Sequence, residues 1–309
     1  MSFWLKPLFT VAVFVSAFLL FLIQPMFGRM ALPLLGGAPS VWNTALVFYQ
    51  ATLLGGYAYA HWASKALARP PQIWIHVGLA LLAFLALPIR LPGIGDPPTE
   101  ANPVPWLLGL LAVGVGLPFF FVSTTSPLVQ RWFSRTGHRQ AGSPYFLYAA
   151  GNVGSLAALL LYPVFFERLM DLKVQSQIWS IGYAALVVLL ALCAWAVART
   201  PAPSEVSESV GSGPAPTWMR KWRWIALAFV PSSLSMGVTT YISTEVAAVP
   251  LLWVLPLSLY LLTFVMAFAE HGRIPTKWIR PVVPFAVVLP LIVTVGQFKD
   301  CLLYTSRCV

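Results

Sequence analysis

The feature that most limits what this chain can fold into is a succession of apolar runs, each about as long as a membrane-crossing helix. The first, from Pro7 to Phe27, contains no charged side chain. Crossing a hydrocarbon core of ~30 Å takes ~20 such residues in a helix. Nine runs of this kind follow one another, at roughly 7–27, 42–62, 73–89, 104–128, 145–166, 176–197, 224–242, 246–269 and 281–297, the last weaker and rich in proline. Composition agrees: 59% of residues are hydrophobic, 9% are charged, and the mean hydropathy is +0.79. A soluble domain carries about 25% charged residues, so this chain cannot clothe a water-facing surface. The reading is an all-α, polytopic transmembrane helix bundle of about nine helices. The first run exceeds the h-region of a signal peptide and further spans follow it, so it is read as an uncleaved helix.

Net charge is +10, which in a soluble protein would point toward nucleic acid. Here the placement of the charges says more. With the N-terminus in the cytoplasm, thirteen Lys and Arg residues fall on that side. Five (Arg29, Arg90, Arg168, Lys173 and Lys299) fall on the other, Arg307 set aside. That imbalance is the positive-inside pattern. It predicts a multi-pass protein with a cytoplasmic N-terminus, the lipid bilayer as partner, anionic lipid as a secondary contact, and no nucleic acid.

One hydrophilic stretch interrupts the runs, from Arg199 to Lys221. Its Pro, Ser, Gly and Glu content buries no core and reads as a flexible linker. The chain divides into a six-helix membrane half (1–198), a cytoplasmic linker (199–222) and the first three helices of a second half (223–298). Two parallel six-helix halves have this layout. A faint repeat agrees: Gln24-Pro25-Met26 precedes a helix from Trp42 to His61, and Pro231-Ser232-Ser233 precedes one from Trp253 to His271. The last residues, 299–309, are set apart. Cys301-Leu302-Leu303-Tyr304-Thr305-Ser306 is the translation of TGTCTCTTATACACATCT, the end of a transposon adapter used in library preparation. The tail is read as a sequencing artefact, in preference to a Cys301–Cys308 disulfide, and the natural protein as longer. Cys193, inside the sixth run, is read as a small buried hydrophobe.

Charges are nearly absent from the runs, and the chain has no P-loop, dinucleotide fingerprint, His-Glu-x-x-His or cysteine-rich metal spacing. No catalytic residue, cofactor or metal ligand is assigned. The four histidines (His61, His76, His138 and His271) stand mostly at cytoplasmic helix ends and read as interfacial. What the runs do hold is uncharged polar groups. The candidate binding residues are Gln24, Asn43 and Gln50 in the first two helices and Thr124, within Ser123–Ser126, in the fourth. Asn152, near Tyr145, Tyr148 and Ser155, represents the fifth, Thr239 the seventh, and Glu245 the boundary beyond it. Singly, each amide or hydroxyl reads first as helix–helix glue worth ~0.6–2 kcal/mol, and Gly151 and Gly154 as small-residue packing. As a set, helices one, four and seven place polar groups beside Pro25, Pro118 with Pro127, and Pro231, a pattern that favours a central polar cavity. Glu245 lacks a basic neighbour, which makes it either an intramembrane functional acid or a water-facing turn residue. Arg29, in QPMFGRM at the outer end of helix one, is expected to snorkel to the headgroups, with Gln24-Pro25 about a turn deeper.

Four blocks carry a family resemblance: QPMFGRMALPLLGGAPSVWNTALVFYQATLLGGYAYAH, TTSPLVQRWFSRTGH, SPYFLYAAGNVGSLAALLLYPVFFE and PSSLSMGVTTYISTEVAAVPLLWVLPLSLYLLTFVMAFAEH. They resemble the membrane part of bacterial proteins described as fused major-facilitator/spermidine synthase, over residues 5–298. The resemblance implies a major-facilitator-like six-helix half with an incomplete second half, in the bacterial inner membrane. It also implies a missing C-terminal aminopropyltransferase-like domain, able to bind decarboxylated S-adenosylmethionine and a polyamine. The loop AHWASKALARPPQ lacks the Gly/Asp/Arg-rich motif of typical major facilitators, so proton coupling is not carried over. The expected function is that of a membrane module moving or delivering a small, cationic solute. The alternatives are a stand-alone secondary transporter and a non-catalytic anchor for a soluble enzyme.

Overall fold

The computed structural model describes residues 2–35, 39–67, 69–98, 102–199, 217–241, 254–268 and 281. Among the described residues there is no strand, and eight helices carry the fold. They are α1 (Ser2–Leu35), α2 (Pro39–Ala66), α3 (Arg69–Phe84), α4 (Pro103–Ser134), α5 (Tyr145–Leu169), α6 (Leu172–Arg199), α7 (Trp218–Tyr241) and α8 (Val254–Phe268). They fall on the first eight apolar runs. The ninth run beyond residue 281, most of the linker, Trp253, His271 and the tail lie outside the described residues. All eight helices belong to one compact unit, residues 1–270.

Local sequence sets the helix ends. Asn102 caps α4: its side-chain oxygen accepts the Val104 N–H at 3.0 Å, and Pro103 follows it, where a missing N–H costs little. Two helices widen by a π turn, Ala112–Gly116 in α4 and Tyr162–Phe166 in α5. Each lies at a proline (Pro118, Pro163), whose ring clashes with the carbonyl four residues back in a regular α-helix. Pro25 and Pro231 instead sit within unbroken helices. α3 stops at Phe84, short of the expected residue 89. Leu85, Ala86 and Leu87 turn their N–H groups back to the carbonyls three residues earlier, and Pro88 has none to continue the ladder.

Four stretches are long and apolar enough to cross a membrane: Trp4–Leu34 in α1, and the whole of α4, α5 and α6. α3 and α8 hold shorter apolar stretches, Pro71–Phe84 and Pro256–Phe268. α2 and α7 have the length, 28 and 24 residues, but polar groups dilute them. In α2 these are Asn43, Thr44, Gln50 and His61, and in α7 Arg220, Lys221 and Arg223. Among the described residues, therefore, four helices rather than nine meet the requirement for spanning, within a helical bundle of membrane type.

α1 is the centre of the packing. It lies against α5 and α6, α4 lies against α2 and α3, and α1 and α4 lie against each other. Exchanging α1, α2 and α3 with α4, α5 and α6 leaves these pairings unchanged; smaller contacts of α4 with α6 and of α1 with α2 fall outside the relation. The closest approaches obey the same exchange. Gly154 of α5 lies against the Phe14 backbone of α1, and Gly56 of α2 lies against Ser123 of α4. A side chain at either glycine would collide, which is how small residues let membrane helices approach. Between the helices sit Phe9, Ile23, Phe27, Phe119, Phe133 and Trp179, none more than 1% exposed.

Candidate functional site

The polar residues of α2 fall on one stripe. Asn43, Gln50 and Tyr57 stand seven residues apart, and His61 and Lys65 continue the line by fours; all five are exposed, with Val47 and Leu54 between them. The exposed line of α6 makes the contrast: Ile181, Val188, Leu192 and Trp195 are all apolar, as a face turned to lipid should be. α2 presents amides, a phenol, an imidazole and an ammonium where α6 presents hydrocarbon and an indole.

Beside this stripe stands the N-terminal half of α5. The phenols of Tyr57 and Tyr148 lie within electrostatic reach of one another. Tyr148 and Tyr145 stack on Phe268 of α8, with ring centroids 5.6 and 6.3 Å apart. One turn further, Asn152 donates its Nδ2 to the Tyr148 carbonyl at 2.9 Å. α8 runs antiparallel along α5, since Val254 and Leu261 pack with Leu159 while Phe268 meets Tyr145 and Tyr148. Tyr145 and Tyr148 remain 59% and 46% exposed.

The structure does not gather the sequence candidates into one place. Asn43 and Gln50 share the α2 stripe, and Asn152 stands on α5 beside Tyr148. Gln24 is half-buried in α1, its amide donating to the Leu20 carbonyl of its own helix at 3.2 Å. Thr124 is buried in α4 and donates to Phe121 at 2.7 Å. Thr239 donates to Ser235 of α7 at 2.7 Å. Glu245 lies outside the described residues. A central cavity is expected from the polar groups of helices one, four and seven. Ser123, Thr124 and Thr125, expected to line it, are buried and bonded to carbonyls of α4 itself.

Two polar features escaped the sequence reading. Ser16 of α1 donates to the Val122 carbonyl of α4 at 3.1 Å, and the Trp179 indole of α6 donates to the Leu19 carbonyl of α1 at 2.9 Å. These are true interhelical bonds. His76 is not interfacial: it is 3% exposed, with Phe121 stacked at 4.9 Å, Trp132 at 6.1 Å and Tyr59 at 6.5 Å. One turn earlier, Gln72 accepts the Trp132 indole N–H at 3.3 Å and donates to the Ser64 hydroxyl at 3.4 Å. That knot joins α2, α3 and α4 near their shared end. No local pattern announces it, because Gln72 and Ser64 find each other only after the helices pack. Among the described residues no three His, Cys, Asp or Glu side chains converge, so no metal centre is outlined.

Compared with protein-family models and with curated proteins, the chain matches none. The functional reading rests on these helices.

Proposed function

We propose that the chain is the membrane-embedded module of a spermidine synthase-like fusion protein of the bacterial inner membrane, with a cytoplasmic N-terminus. In this reading it moves or delivers a small organic cation along the polar face of α2, beside Tyr145 and Tyr148 of α5. The observation that carries the proposal is the polar stripe of Asn43, Gln50, Tyr57, His61 and Lys65 on an exposed helix face, set against the apolar stripe of α6. Polar groups at membrane depth are retained where they face water or solute. The exposed faces of Tyr145 and Tyr148 suit a cation, which is drawn to the electron-rich ring.

The helix pairing supports the major-facilitator-like half. An exchange of α1–α3 with α4–α6 reverses helix direction, as expected of two inverted three-helix repeats, and such folds bind solute between repeats or halves. α8, laid along α5, then belongs to the second half.

Reconstitution of the full-length protein in liposomes tests the reading. Labelled spermidine and putrescine should cross, and Gln50→Ala with Tyr57→Ala should slow them about tenfold, the loss of ~1.4 kcal/mol of contact. A second reading, the non-catalytic anchor, has its own support: Gln24, Thr124, Asn152 and Thr239 all donate to their own helices, as structural groups do. Absence of amine flux, with a synthase domain fully active after deletion of the helices, would leave the anchor. An in-frame synthase domain downstream of the sequence given is the check on family.

A further inference from the structure

At the end of the bundle opposite Tyr145 and Phe268, a pocket of about 520 Å³ opens between the loop after α3 and the start of α6. Met30 of α1, Leu91 of the loop and Leu172 of α6 form apolar wall, and Arg90 and Lys173 bring two cations to the same pocket. Both cations are exposed. Among the described residues neither has a hydrogen bond, an ion pair or a ring contact. The pocket is lined by no carboxylate. Asp171, two residues before Lys173, is exposed and does not line the pocket, and Glu167 is held by Arg29 at 3.0 Å. Among the described residues, Lys6 by contrast lies over the Phe146 ring and Arg199 over Trp195. Buried Ser176 donates to the Ile89 carbonyl at 2.6 Å, which ties the loop to α6 and fixes the shape between them.

We infer that this pocket binds one anionic phospholipid, its phosphate between Arg90 and Lys173 and its glycerol and first methylenes against Met30, Leu91 and Leu172. Three considerations select that ligand. Two unpaired cations in one pocket ask for an anion, and Lys173 adds to them in the first turn of a long helix, where the backbone dipole is positive. The remaining lining is apolar, from which a free phosphate gains nothing and a lipid gains contact. The pocket also opens at the end of helices that are long and apolar enough to span the bilayer, so a lipid enters without leaving its own phase. A volume of this size suits a headgroup with the upper part of its chains and not an entire lipid.

Native mass spectrometry of the full-length protein, released from detergent with an equimolar mixture of phosphatidylglycerol and phosphatidylcholine, tests the site. Wild type should retain phosphatidylglycerol, and Arg90→Gln with Lys173→Gln should cut the retained fraction about tenfold, whereas Arg168→Gln, an exposed cation outside the pocket, should not change it. Leu91→Trp fills the pocket without touching its charge and should also reduce retention, which keeps the test decisive if the double variant folds poorly. Equal retention in wild type and in either pocket variant overturns the inference. So does displacement of the lipid by millimolar glycerol 1-phosphate, which would assign the two cations to a free phosphate.

Discussion

Arg29 of α1 and Glu167 of α5 form an ion pair, Nη1 to Oε1 at 3.0 Å, where QPMFGRM nears the end of the first helix. The sequence alone sends Arg29 to the lipid headgroups. The fold chooses otherwise. α1 and α5 pack along their length, Gly154 bringing them to backbone contact, and Glu167 emerges directly after the π turn Tyr162–Phe166. Both side chains are partly exposed, at 38% and 21%. An ion pair so placed contributes up to about 1 kcal/mol. A double-mutant cycle with Arg29→Gln and Glu167→Gln, followed by thermal unfolding in detergent, should give a coupling of that order. Strict additivity of the two losses would dismiss the pair as a stabilising contact.

Two glycines should answer the same substitution with opposite signs. A Cβ at Gly154 would meet the Phe14 carbonyl oxygen of α1, which is backbone and cannot swing aside, whereas a Cβ at Gly78 of α3 meets nothing within 4 Å. Gly154→Ala should cost about 1–3 kcal/mol by overpacking. Gly78→Ala should gain up to about 1 kcal/mol from helix propensity. Melting temperatures of the two variants decide it, and a Gly154→Ala protein as stable as wild type would refute the close approach.

The positions of the helices were legible because apolar run length is a local property. Their partners were not, because pairing depends on which surfaces meet. Gly154 could be marked as a packing residue from its small neighbours, yet nothing in the sequence named Phe14 as what it packs against. Gly28 is the same case: the place of its missing Cβ lies 2.7 Å from the Trp42 ring, so the glycine in QPMFGRM seats the tryptophan that opens α2. Tyr57 continues the seven-residue spacing of Asn43 and Gln50, yet tyrosine counts as hydrophobic in composition and so hides its place on the polar stripe. His76 was misplaced for a further reason. Its burial is created by Phe121, Trp132 and Tyr59, which come from other helices.

Trp179 offers a test of interhelical bonding. Its indole is buried and donates to the Leu19 carbonyl of α1 at 2.9 Å, and its ring stacks on Tyr183 at 5.6 Å. Trp179→Phe removes the donor and keeps much of the ring, so the loss should be near 1 kcal/mol. Trp179→Ala also opens a cavity and should cost about 3–5 kcal/mol. Denaturation of both variants in the same detergent measures the gap; equal losses would mean that the hydrogen bond, not the packing, holds α6 to α1.

The polar stripe of α2 makes a prediction about water. If Asn43, Gln50 and Tyr57 border a hydrated groove, cysteines at those positions in the full-length protein will react with a hydrophilic maleimide in intact membranes. A thiol facing lipid stays protonated and unreactive, because the thiolate is the nucleophile. Ile181→Cys, on the apolar stripe of α6 at 69% exposure, is the control that should label slowly despite being uncovered. Cys193 is 0% exposed and need not be removed. Labelling at residues 43, 50 and 57 at least tenfold faster than at 181 is the expected result, a difference of ~1.4 kcal/mol in effective barrier. Equal, slow labelling at all four positions would place the α2 stripe against lipid or protein and remove the ground for a solute path there.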